Sequence, residues 1–274
     1  MPDLLYWLVV VGYSMAAFLV VRNHLRGIKE ACLSSWWWGT TAWFVQCYLV
    51  VGALVAGHGL FSTGLGPSLF SISLVLGGFY LIGWRINRNE ARAVGLVLLP
   101  MLVVVLLISK LLGDDGAGVR DIGDPLLVLH LALSLSAYGL FSIAVVLALL
   151  DAWQEHALKK KQFNGLFRVL PSLDKLEQDL FYMVAGGMGL LTLSILSGMA
   201  YTYQQLDQWF IFNHKVVFTW ITWLVFGVLL VGHRAYGWRG RRAVRMTVWG
   251  YLFLVLAYVG VKFVAEYVLN RSVS

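Results

Sequence analysis

The chain has 274 residues, of which 59% are hydrophobic and only 13% charged, a balance that no water-soluble domain of this size can hide in its core. Lipid is therefore the solvent for most of it, and apolar runs of roughly 20 residues recur along its length, which reads as helices rather than the short alternating strands of a barrel. A net charge of +7 would suggest nucleic acid in a soluble protein, but here the basic residues sit in short loops beside membrane segments, so topology and anionic lipid explain them and no nucleic-acid partner is expected.

Spans are expected at roughly 4–22, 36–57, 68–84, 93–112, 126–150, 179–203, 215–233 and 244–268. The first is not a cleavable leader by pattern, because Asp3 stands where a basic region belongs and no small-residue cleavage site follows. The second opens on Trp36-Trp37-Trp38, an interfacial belt. Cys32 and Cys47, if on one helix, are about 22 Å apart, which excludes a disulfide between them. The longest connection, roughly 151–178, carries Pro171-Ser172-Leu173-Asp174, a stop followed by a helix start, and predicts a surface helix leading into span six. Span six holds Gly186, Gly187, Gly189, Ser194, Ser197 and Gly198, small residues that let helices approach in lipid and that packing alone explains. Lys262 and Glu266 near the end of span eight read as an ordinary i, i+4 pair. The expected fold is all-α: a polytopic transmembrane helix bundle of about eight spans in one membrane domain, with 1–112 supplying the first four spans and 126–268 the last four.

Basic residues stay on the cytoplasmic side, and most of the 21 Lys and Arg residues fall in the connections after odd-numbered spans. These are Arg22, Arg26 and Lys29; Arg85, Arg88 and Arg92; Lys159, Lys160, Lys161, Arg168 and Lys175; and Arg234, Arg239, Arg241, Arg242 and Arg245. Asp114, Asp115, Asp121 and Asp124 cluster on the other side. Both termini are therefore expected outside, in the periplasm of a bacterium whose inner membrane holds the chain.

The expected spans are nearly free of charge at mid-depth, which argues against an ion-coupled permease. No nucleophile with a base, carboxylate pair, phosphate loop or Cys/His cluster is visible, so no enzyme is expected. The six histidines divide by face: His58, His130 and His214 outside, His24, His156 and His233 inside. Neutral imidazole ligates haem iron, and two histidines from different helices at the outer boundary would make a bis-imidazole site. Around His214 stand Trp209, Phe210, Phe212, Phe218, Trp220 and Trp223, side chains that belong to interfacial belts and also stack on porphyrin.

Five stretches carry a resemblance. They are His130-Leu131-Ala132-Leu133-Ser134-Leu135-Ser136-Ala137-Tyr138, Pro171-Ser172-Leu173-Asp174-Lys175-Leu176-Glu177, Leu191-Thr192-Leu193-Ser194-Ile195-Leu196-Ser197-Gly198, Ile221-Thr222-Trp223-Leu224-Val225-Phe226, and Gly232-His233 with Gly237-Trp238-Arg239-Gly240-Arg241-Arg242. In this order the chain resembles the membrane haem-handling family of cytochrome c assembly proteins, the CcsA, CcmC and HemX type. The resemblance implies that His130 is an outer haem ligand. The family's W-D-P-K-E signature aligns with Phe212-Asn213-His214-Lys215-Val216, which keeps only the lysine, and the second outer histidine after the last span is absent. His214 is expected to take that place, with Trp209, Trp220 and Trp223 as an aromatic wall. His233, beside Arg234, is expected as an inner ligand or, with Arg239 and Arg241, a propionate contact. The function implied is haem handling in cytochrome c maturation or haem trafficking, by placement of the cofactor. The alternative is a non-catalytic membrane partner that has lost haem and stabilises or regulates another inner-membrane protein.

Overall fold

The computed structural model describes residues 2–26, 33–55, 65–86, 88–113, 124–161, 170–207 and 214–257, and all regular secondary structure among them is helical. Eight helices follow one another: α1 (Pro2–Leu25), α2 (Leu33–Val55), α3 (Leu65–Ile86), α4 (Arg88–Leu112), α5 (Pro125–Lys159), α6 (Leu173–Leu206), α7 (His214–Tyr236) and α8 (Arg241–Val255). Each expected span falls on one of them, the far ends of the second and last spans lying outside the described residues. Six, α1 and α3 to α7, are long and apolar enough to cross a membrane. The start of α2 is diluted by Ser34, Ser35, Thr40, Thr41 and the three tryptophans between them, and α8 has 15 described residues.

Length is where structure and expectation part. At 35 and 34 residues, α5 and α6 each run about 50 Å, well beyond a hydrocarbon core of about 30 Å. The surface helix expected within 151–178 is not a separate element among the described residues. Instead α5 continues to Lys159, and α6 starts at Leu173 and runs unbroken into the membrane segment. The helix start itself lies where Pro171-Ser172-Leu173-Asp174 predicts it: the Ser172 carbonyl accepts the N–H groups of Lys175 and Leu176 at 3.0 Å, and Asp174 places negative charge in the first turn.

The chain divides into two compact units, one of Met1–Asp115 with Trp153–Leu176 and one of Gly116–Ala152 with Glu177–Ser274. In the first, α1 packs on α2 and α4, and α3 packs on α4 and α2. Small residues make the approach possible: a Cβ on Gly12 would lie 2.8 Å from the Ala42 methyl, and one on Gly77 would fall on the Tyr13 hydroxyl. Between the helices sits a buried polar group of three. The Gln46 amide donates to the Ser73 hydroxyl at 2.8 Å and the Phe70 carbonyl at 3.0 Å, while Tyr13 donates to the Gln46 oxygen at 3.2 Å. At the opposite end from the arginine-rich connections, Tyr6 donates to the Leu106 carbonyl at 2.6 Å, Ser109 to the Gly66 carbonyl at 2.7 Å, and Lys110 pairs with Asp3.

The second unit is centred on an aromatic stack that four helices share. Phe141 of α5 lies on Phe226 of α7 with ring centroids 4.1 Å apart and planes 11° from parallel. Gly187 of α6 and Gly250 of α8 close the two sides, since a Cβ on either would meet the Phe141 or Phe226 ring at 2.9 Å. The Tyr138 hydroxyl reaches the Leu254 carbonyl at 2.8 Å, and Ser142 meets the Tyr251 hydroxyl at 2.8 Å, so α5 is tied to α8 by polar contacts as well. Glycine here is a matter of clearance: the helical backbone needs no special freedom, but the rings need its surface.

Gln46 is the testable element of the first unit. Replacing it with Ala strands the buried Tyr13 hydroxyl and should lower stability by about 2 kcal/mol. Tyr13→Phe alone should cost less, and the double variant should cost less than the sum, read by reversible unfolding in mixed micelles with circular dichroism. Additive losses would show that the two groups do not interact.

Candidate haem site

The site is built from the start of α5 upward. Asp124 caps that helix, its carboxylate accepting the Leu126 N–H at 2.9 Å and its carbonyl the Val128 N–H at 3.2 Å, with Pro125 at the first helical position. A second carboxylate oxygen receives the Gln205 amide of α6 at 3.3 Å. This fixes the rotation of α5 and turns His130, in the second turn, towards α6.

His130 meets a cradle there. Its Nδ1 lies 2.8 Å from the Ser194 carbonyl oxygen, with the Ser194 and Ser197 hydroxyls at 3.5 and 3.4 Å. A carbonyl only accepts, so Nδ1 carries the hydrogen and, in neutral imidazole, the lone pair is left on Nε2. No described residue bonds Nε2. The ring lies against Gly198, where a Cβ would stand 2.8 Å from Cε1 and 3.0 Å from Nδ1. Ser134, one turn on from His130, donates to the His130 carbonyl at 2.7 Å and shares a 2.6 Å contact with the Ser194 hydroxyl. Ser194, Ser197 and Gly198 were read from sequence as packing residues. They are the cradle, and their i, i+3, i+4 spacing on one face of α6 is the signal that marks it.

The other expected site residues are spread over the unit. His214 is the first residue of α7 and its side chain is exposed. Lys215 is likewise exposed, in register with the buried Thr222, Phe226 and Leu229 further along the same helix. Trp223 donates its indole N–H to Thr192 at 3.0 Å and meets Trp220 edge-on at 6.0 Å, while Trp220 is 37% exposed. Trp209 lies outside the described residues, as does His58.

His233 belongs elsewhere. It and His214 stand at opposite ends of α7, about 28 Å apart along the axis at 1.5 Å per residue, so the three histidines do not form one centre. Its Nδ1 is 3.0 Å from the Trp238 carbonyl and its ring stacks on Phe181 with centroids 3.5 Å apart. Gly237 at φ +63° and Gly240 at φ +57° turn the chain from α7 into α8, and Trp238 folds back over Gly232, where no Cβ would fit. Arg239 lies 4.0 Å from Glu177, and Arg242 covers the Trp238 ring at 4.8 Å. Among the described residues no group of three or more His, Cys, Asp and Glu could hold a bare metal ion. An axial imidazole offered to an iron already held by a porphyrin requires no such cluster.

Comparison with known proteins agrees with the stretches quoted above. The chain is 29% identical to the "Uncharacterized 28.8 kDa protein in nifR3-like 5'region" of Azospirillum brasilense over 277 aligned positions, covering 98% of this chain and 99% of that one. It is 37% identical to the inner membrane protein YpjD of Escherichia coli (strain K12) over 144 residues, which is 52% of this chain and 53% of YpjD. It is 25% identical to the protein HemX of Brevibacillus brevis over 261 residues, covering 93% and 94% of the two chains. No solved structure matches. The model of the cytochrome c assembly protein family matches residues 63–269, from the end of the α2–α3 connection to beyond α8. With the match running over most of its length and through every helix of the His130 unit, the chain belongs to the cytochrome c assembly protein family.

Proposed function

We propose that the chain handles haem at the outer face of the membrane, with His130 as the axial imidazole, in cytochrome c maturation or haem trafficking. Its family, its apolar helices and its inner-membrane relative YpjD make it a multi-pass protein of the bacterial inner membrane. The observation that carries the haem reading is the His130–Ser194 bond. A histidine whose Nδ1–H is held by a backbone carbonyl, with Nε2 left for a ligand, has the outer-shell arrangement that metal-binding imidazoles use.

Haem, when bound, would supply an iron that imidazole nitrogens can ligate. His130 would ligate that iron, and His214 at the start of α7 is the residue proposed to ligate it with His130. Lys215 offers an ammonium to a propionate carboxylate on the same side. Trp220 and Trp223, with Trp209, provide apolar ring surface, and the Trp223 bond to Thr192 holds one of those rings in place. His233 with Arg239 and Arg241 is proposed as a separate inner contact for a carboxylate. The role is placement of the cofactor rather than reaction upon it. A second reading, a membrane partner without haem, draws on the exposure of His214 and the loss of the W-D-P-K-E signature at Phe212–Val216.

Two outcomes separate these readings. Protein purified from haem-replete cells should show a Soret band that His130→Ala with His214→Ala abolishes; a band that survives the double substitution would refute the site, and colourless wild type with a co-purifying partner would favour the second reading. Independently of haem, solid-state nitrogen NMR with labelled histidine should find His130 as the Nδ1–H tautomer. Gly198→Val should displace the ring and erase that signal, whereas an unchanged tautomer would contradict the cradle.

A further inference from the structure

The hydrogens around His130 can be placed one by one, because each hydroxyl has only one to give. Ser134 spends its own on the His130 carbonyl at 2.7 Å, so in its 2.6 Å contact with Ser194 it is the Ser194 hydroxyl that donates. The Ser194 hydrogen is therefore directed away from the ring, although its oxygen stands 3.5 Å from Nδ1. Ser197, buried about one turn further along α6, donates to the Ser194 carbonyl at 3.0 Å. That oxygen is the one the Nδ1–H of His130 reaches at 2.8 Å.

One carbonyl thus answers two side-chain donors, and as an interior residue of α6 it also faces the N–H four residues on. A carbonyl oxygen has two lone pairs, so the donors share it and each bond is weaker than it would be alone. Sharing of this kind runs opposite to a chain of hydrogen bonds, in which each link strengthens the next. The Ser197 oxygen also lies 3.4 Å from Nδ1, where it faces the ring as a second acceptor. The distances decide between the two effects, since a formed N–H···O bond ends at roughly 3.2 Å while the hydroxyl-to-carbonyl contact is within bonding range. Ser197 therefore draws on the carbonyl more than it supports the ring. Packing beside His130 asks α6 for small side chains, which alanine would meet equally; the hydroxyl alone alters the carbonyl.

We propose that Ser197 is a positioning residue that restrains the His130 Nδ1–H bond and so limits how strongly Nε2 donates to a ligand. A carbonyl that pulls fully on Nδ1–H makes the opposite nitrogen a stronger ligand. One shared with Ser197 pulls less. Resting on the haem reading, this assigns the site to a protein that passes its cofactor on rather than one that stores it, because a moderate imidazole donor releases iron sooner.

Solid-state NMR of the haem-free protein with labelled histidine reads the bond directly, since a stronger Nδ1–H bond moves its proton signal downfield. Ser197→Ala should shift that signal downfield, and Ser197→Thr, which keeps the hydroxyl, should return it to the wild-type position. Ser142→Ala, in the same unit but bonded to Tyr251, should leave it unchanged. In haem-loaded protein, Ser197→Ala should lower the midpoint potential and slow haem transfer to apomyoglobin about threefold. A proton signal that stays put or moves upfield in Ser197→Ala, or one shared by Ser197→Ala and Ser197→Thr, would overturn the proposal. So would a downfield shift with no change in potential or transfer. Wild type that takes up no haem would defeat the haem reading, and the proton shift would still decide whether Ser197 governs the bond.

Discussion

Hydrocarbon accepts no hydrogen bonds, so every polar group that enters the membrane must be answered by the protein itself. The chain meets this requirement first with helices, and then with side chains placed so that the polar atoms of one helix find those of the next. Gln46 serves Tyr13, Ser73 and the Phe70 carbonyl in the first unit; Tyr138 and Ser142 serve α8 in the second. Such bonds hold register where apolar contact is nondirectional, because slipping by one turn would leave several groups unpaired in lipid. The glycines work with them. Gly12, Gly77, Gly187 and Gly250 are positions where a methyl group would collide with a neighbour, and their absence of side chain sets how closely helices approach.

His130 is the place where the same rule leaves something over. Its Nδ1 is answered by Ser194, as any buried donor must be, but the answer comes from a backbone carbonyl on a helix held close by Gly198. The consequence is chemical: the tautomer is set, the ring is oriented, and no described residue bonds the second nitrogen. At the other end of the unit His233 shows a similar Nδ1 contact, to the Trp238 carbonyl, yet there the ring is stacked face to face on Phe181 and so is tied into the α7–α8 turn.

The fold was legible to a large extent because lipid imposes so few options. Apolar runs placed each helix, and Pro171-Ser172-Leu173-Asp174 placed the start of α6 within a residue. Helix ends were less legible where charge did not break the backbone: Asp151, Glu155 and Lys159 look like a loop by polarity, but α5 simply carries them past the membrane as an i, i+4 patterned surface, with Glu155 paired to Lys159. The division into units, with 153–176 joined to the first four helices, follows from contacts that no local pattern reveals. At the site, His130 stood out by residue type and by resemblance, whereas Ser194, Ser197 and Gly198 did not, because small residues on a membrane helix have a packing explanation ready. Lys215 stands out in the sequence as the one residue kept of the W-D-P-K-E signature; its register with Thr222, Phe226 and Leu229 becomes meaningful only once the buried face of α7 is known.

The account turns on whether the free nitrogen of His130 is a ligand to haem iron. The most direct measurement is low-temperature electron paramagnetic resonance of the ferric, haem-loaded protein with His130→Gly in the presence and absence of added imidazole. Loss of the low-spin signal in the variant, and its return when imidazole fills the vacated space, is the predicted result. A low-spin signal that persists in His130→Gly without imidazole would contradict the account.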